Sequence, residues 1–264
     1  MKKIVFVFFA LVNYLVSSYA QEAGQPATAD SVIQRYIEKS GVMSDSGVKE
    51  TKKYTLTAVQ TTVLEKKDET IVQNVLRAFD ADEKKLFIKA DSEEKKNRSA
   101  LAINKDEGWH CEWPLVSKVL KYKENELTQI WMQNFALVQL PRELTDTYSF
   151  QRTLGEEKEF DGKRCTCVIV TPKASSASSS TFYFDKETGM LIHSDNENLS
   201  CDFKDYRTFG ALTINATQII TYSEKLKKVT KVKSITTKIQ DIKLETVDEA
   251  LFCKEAVQNA FKNK

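Results

Sequence analysis

From Tyr54 to Asn104 charged turns divide the chain into short runs, most of which set apolar residues at every second position. Tyr54, Leu56 and Ala58 alternate with threonines. Leu86, Ile88 and Ala90 alternate with Phe87 and Lys89, and Leu101 and Ile103 with Ala100, Ala102 and Asn104. Successive side chains on a strand point to opposite faces, so each run predicts a strand with one face turned to a core. The dividing turns, Glu65 to Glu69 and Asp80 to Lys85, are short, which predicts hairpins in an antiparallel meander. Thr70 to Phe79 departs from strict alternation. It is apolar at both parities near Val75-Leu76, as in a strand covered on both faces.

After Gly108-Trp109-His110-Cys111-Glu112-Trp113-Pro114 the period changes. Leu115, Val116, Val119 and Leu120, then Leu127, Ile130, Trp131, Asn134, Phe135 and Val138, follow helical spacing, broken near Lys121 to Asn125 and ended by Pro141. Strands resume at Cys165 to Thr171, Thr181 to Phe184 and Met190 to His193, then at Asp202 to Thr208, Leu212 to Tyr222 and Val229 to Leu244. In the last run the apolar parity switches between Ile239 and Ile242, which predicts a bulge or bend. Ahead of the strands, Val32, Ile33, Tyr36 and Ile37 form one apolar helical face, with Asp30 or Ser31 as the cap and Gly41 as the stop.

The amino terminus reads as an export signal. Lys2 and Lys3 precede an apolar run from Ile4 to Val16, and Ser18-Tyr19-Ala20 supplies small residues for cleavage before Gln21. Asn13 interrupts that run, which is short for a bilayer span of about 20 residues. A signal peptide over 1–20, a flexible lead-in over 21–29 and one domain over 30–260 are therefore expected, with no transmembrane anchor in the mature chain. Gln21, where a lipid-bearing Cys would stand, leaves the exported chain unlipidated.

Composition removes several functions. Of 39 basic residues two lie in the signal, leaving 37 against 37 acidic ones, with no concentrated basic face for nucleic acid. Two histidines leave little room for a His-rich metal centre. No nucleophile elbow, zinc signature or phosphate loop occurs, and His110 beside Cys111 would face the opposite way on a strand. No enzymatic activity, cofactor or metal is expected. Five cysteines, Cys111, Cys165, Cys167, Cys201 and Cys253, are read as structural. They form one or two disulfides, or they are small buried hydrophobes.

Several segments together resemble the periplasmic lipoprotein-carrier (LolA/LolB-like) superfamily and its outer-membrane lipoprotein-sorting relatives. They are the helix around Ser31-Val32-Ile33-Gln34-Arg35-Tyr36-Ile37 and Gly108-Trp109 leading to central helices. Leu154-Gly155-Glu156 with Phe160-Asp161-Gly162-Lys163 follows, then Phe182 to Leu191 with its Asp185-Lys186-Glu187-Thr188-Gly189 turn. Asp205-Tyr206-Arg207, Phe209-Gly210-Ala211-Leu212 and Val247 to Phe252 complete the order. The resemblance implies a mainly β, α+β fold: a strongly curved, incompletely closed antiparallel β-barrel with helices plugging the opening. It implies a monomeric carrier in the periplasm of a Gram-negative bacterium, holding lipid or the acyl chains of a lipoprotein. Under that reading Leu86, Ile88, Leu101, Ile103 and Trp109 are cavity residues, with Ile130, Trp131 and Phe135 on the lid side. The competing expectation is an envelope module whose filled core binds no lipid and whose surface docks a protein partner.

Overall fold

The computed structural model describes residues 27–41, 52–65, 69–92, 98–112, 115, 118–123, 126–127, 130, 144, 146–173 and 178–262. The expected signal peptide, most of the lead-in, Trp131, Phe135 and most of the expected central helices lie outside the described residues.

The chain enters through helix α1 (Ala29–Ser40) and then lays down its alternating runs as a meander. β1 (Lys53–Leu64), β2 (Thr70–Asp80), β3 (Lys85–Ser92), β4 (Ser99–Asn104) and β5 (Glu107–Glu112) pair in sequence order, all antiparallel. β6 (Leu120–Lys121) adds two residues to the edge of β5. The expectation of helix at Leu120 is thus corrected: the edge of β5 offers backbone partners that outweigh the local periodicity. Within the central interlude Glu126, Leu127, Ile130 and Leu144 are helical.

A second antiparallel series follows: β7 (Phe150–Leu154), β8 (Lys158–Phe160), β9 (Lys163–Pro172), β10 (Ser180–Asp185), β11 (Leu191–Asp195), β12 (Leu199–Phe209) and β13 (Leu212–Tyr222). Helix α2 (Glu224–Thr230) then replaces the strand expected to begin at Val229, because Ser223 caps it through the Leu226 N–H. β14 (Val232–Leu244) pairs with both β13 and β1 and joins the two series into one 14-stranded sheet. β6 stands at one end of the strand order and β7 at the other, so the sheet stays open.

The parity switch in β14 is a bulge. Thr57 faces Asp241 but Ala58 faces Ile239, so Gln240 is the extra residue, and Ile239 and Ile242 both reach the same apolar cluster.

α1 is closed at both ends by its own sequence. Thr28 accepts the Ser31 N–H at 3.1 Å and its own N–H is accepted by the Ser31 hydroxyl at 2.9 Å, so Thr28 and not Asp30 or Ser31 is the cap. Gly41 ends the helix at φ 70°. The apolar face of α1 packs on Val168, Val170, Phe182, Phe184 and Leu191, with the Tyr36 and Phe184 rings 5.7 Å apart. At the carboxyl terminus, α3 (Lys254–Asn259) lies on the opposite face, where Phe252 and Val257 cover Ala78, Phe87, Ala100 and Ala102. That cover explains the double-parity pattern of β2, whose Phe79 and Ala78 are both fully buried on opposite faces.

All five cysteines are free thiols. Cys111, Cys165, Cys167 and Cys201 are buried, and Cys253 is half-exposed. Burial pushes the four buried thiols up, Cys201 to about 11, which suppresses the reactive thiolate. Titration of the native protein with a thiol reagent at pH 8 is expected to modify Cys253 first. The other four follow only on unfolding, and five equal fast reactions would contradict this burial.

Candidate functional site on the inner face of the sheet

The register of β1 to β5 lines up one face into cross-strand rows. The first runs Leu244, Tyr54, Phe79, Leu86, Ile103 and Gly108; the second runs Ile242, Leu56, Arg77, Ile88, Leu101 and His110. Following the register from β13 through Ile220, Cys201 and Ser194 to Phe182 puts α1 on this same inner face.

The rows differ in burial. Tyr54, Phe79 and Leu86 are 0% exposed and Ile103 is 2% exposed, so the first row is solid core. Leu56, Ile88 and Leu101 in the second row are only half-buried. An apolar wall next to a packed floor, itself partly open, is the surface a non-polar guest can occupy without displacing core.

A short covering lies against these rows. Leu127, Tyr122 and Ile130 pack on the cluster, and the Tyr122 ring stacks on His110 with centroids 4.2 Å apart. Gly108 makes that seating possible. A Cβ there would stand 2.3 Å from Leu127 Cδ2 and 3.1 Å from Tyr122 Cδ2, while the Gly108 carbonyl accepts the Tyr122 N–H at 2.8 Å. Burial pushes the Tyr122 phenol up to about 12.

Of the residues expected at the site, the structure brings Leu86, Ile88, Leu101, Ile103 and Ile130 together. Leu86 and Ile103 serve as floor; Ile88 and Leu101 form the open wall. Trp109 is placed elsewhere. Its parity on β5 points it to the outer face, where it packs with Phe87 and Ala102 beneath the carboxyl-terminal segment. The same parity sends Cys111 outward and His110 inward, so the two neighbours face apart.

One inner-face residue escaped the sequence reading. Arg77 sits in the second row, its guanidinium 5.6 Å from the Tyr54 ring centroid and 5.7 Å from that of Phe79. Burial lowers its pKa and pushes that of the adjacent Tyr54 up to about 12. The signal was its shared parity with Phe79 and Val75, which marks a charge aimed at the core side. Among the described residues no group of three or more His, Cys, Asp or Glu could hold a metal ion, and no helix is long and apolar enough to cross a membrane.

No family model and no curated protein sequence matches the chain. Solved structures do. A domain assigned as an outer-membrane lipoprotein-sorting protein from Vibrio parahaemolyticus aligns over 87% of this chain and 99% of its own, at 12% identity and a TM-score of 0.50. The chain has a LolA-like fold. A DUF1329 family protein from Desulfovibrio piger shares that fold over 87% of this chain and 99% of its own, at 12% identity and a TM-score of 0.51. A LolA superfamily protein from Nitrosomonas europaea covers 88% of this chain and 100% of its own, at 10% identity and a TM-score of 0.49. The open antiparallel sheet described above is consistent with that LolA-like fold.

Proposed function

We propose that this is an exported, non-enzymatic carrier that holds lipid or the acyl chains of a lipoprotein against the inner face of its sheet, in the periplasm. The observation that carries this reading is the half-buried apolar wall of Leu56, Ile88 and Leu101, set beside a sealed floor and under Leu127 and Ile130. The LolA-like fold and the export-type amino terminus support it. Each methylene moved from water onto such a wall gains about 0.8 kcal/mol, so eight of them gain about 6 kcal/mol before the cost of association. Arg77 is the cationic point in the wall, placed to face a carbonyl or headgroup while the chain lies on Ile88 and Leu101.

A fluorescent long-chain fatty acid added to the mature protein tests the proposal. Saturable uptake with a blue-shifted emission is expected. Leu101→Asp, which puts a carboxylate on the wall, is expected to weaken uptake about a hundredfold, since an unpaired buried charge costs several kcal/mol. Ile88→Trp, which fills the space with no charge, is expected to weaken it also while leaving the circular dichroism of the wild type. Uptake that neither variant changes would place the ligand elsewhere, and no uptake at all would favour the filled-core module.

A further inference from the structure

A pocket of about 330 Å³ lies in the other half of the sheet. It owes its existence to an interrupted ladder. β12 pairs with β13 from Leu199 to Phe209, but with β11 only from Ser200 to Asp202. Among the described residues no strand pairs with that edge of β12 beyond Asp202, and the pocket fills the gap.

Its walls come from both sides of the gap. Phe203, Lys204, Asp205 and Tyr206, four consecutive residues of β12, all line it. A regular strand would send alternate members to opposite faces. Asp205 breaks the alternation by adopting φ 54°, and its carboxylate is held there by the Thr217 hydroxyl at 2.6 Å. A non-glycine residue in that conformation inside a strand is costly and marks places where the backbone is shaped for a purpose. Across the gap stands Ile192, the extra residue of a bulge in β11 between the Tyr183–His193 and Phe184–Leu191 pairs. The Tyr206 hydroxyl reaches over and donates to the Leu191 carbonyl at 2.6 Å, closing one end. Phe160 forms a further wall and is fixed by stacking on His193, with centroids 4.1 Å apart.

The rim is ionic. Lys163 meets Asp185 at 3.3 Å, and Lys204 meets Asp161 at 3.4 Å with both side chains well exposed. An ammonium has three donors, and each of these two bonds one carboxylate here. The Lys204–Asp161 contact is long, solvated and readily exchanged for another anion. Asp205, by contrast, is already engaged by Thr217.

From this we infer that the gap between β11 and β12 is a second ligand site, separate from the inner-face wall. It takes a small organic carboxylate whose apolar body enters between Phe160, Ile192 and Phe203 and whose head is bound by Lys163 and Lys204. The site is too small for a diacyl lipid and suits a medium-chain or aromatic acid.

Calorimetric titration of the mature protein with octanoate tests this, with octyltrimethylammonium as the cationic control. Octanoate is expected to bind at least tenfold tighter than the cation, and more weakly as salt rises. The Lys163→Met, Lys204→Met double variant alters only half-exposed side chains. It is expected to lose at least tenfold in octanoate affinity while keeping its uptake of the fluorescent long-chain acid. Ile88→Trp is expected to show the reverse. Octanoate affinity unchanged by the double variant, or abolished by Ile88→Trp, would overturn the assignment, as would no octanoate binding by the wild type. Loss of long-chain uptake alone would overturn the carrier reading and leave this site standing.

Discussion

Replacing Phe79 with alanine is expected to lower the unfolding free energy by about 3–5 kcal/mol, the range for a fully buried phenylalanine. Phe79 stands in the centre of the floor row, 5.4 Å from the Tyr54 ring and across from Leu86, with the Arg77 guanidinium over its face. Truncation removes the ring, opens a hole between two strands and strips one of the two aromatic faces from a buried cation. Total stabilities of about 5–15 kcal/mol make that a large share. Val72 on the same strand is 46% exposed. Its alanine variant is expected to stay within about 0.5 kcal/mol of wild type. Urea unfolding of the two variants side by side makes the measurement, and equal losses would mean that the floor row is not the packed centre described here.

Gly41→Ala carries the second large effect, and a companion variant separates its causes. Gly41 and Gly162 both adopt a left-handed backbone, at φ 70° and 74°. A Cβ on Gly162 meets nothing within 4 Å, whereas one on Gly41 would stand 2.1 Å from the Ala211 carbonyl oxygen. Alanine at Gly162 therefore reports strain alone, about 1–2 kcal/mol. At Gly41 the same strain is joined by a collision with backbone, which cannot rotate away as a side-chain tip can. The loss there is expected to exceed that at Gly162 by at least about 1 kcal/mol and to loosen the end of α1 against the β12–β13 turn. Equal losses would show that Ala211 gives way freely.

Much of the strand order was readable because one face of each strand is buried. A period of two then leaves its mark, as in Leu86–Ile88–Ala90, and the parity switch in β14 named its bulge. Elements without a buried face of their own left no such mark. β7 and β8 are short and largely exposed, and Leu120 joins β5 only because an edge was vacant. α2 is set by a serine cap rather than by an apolar stripe. On the inner face, parity sets Leu86, Ile88, Leu101 and Ile103 side by side. It could not tell floor from wall, because burial depends on which row the register places beside which. Trp109 was expected there through the resemblance; its odd position on β5 sends it outward. Arg77 was passed over because a charge reads as solvent-facing until its neighbours on the strand are counted. The pocket between β11 and β12 follows from a ladder that stops early, a property of pairing that no single segment displays.

The most direct test is native mass spectrometry of the protein released gently from the envelope of its own cells. Molecules carrying added mass, identified as acyl lipid after extraction and depleted in the Leu101→Asp variant, are the predicted result. Protein that arrives at its bare polypeptide mass in every preparation, and takes up no fatty acid when offered it, would contradict the claim that this inner wall exists to hold a chain.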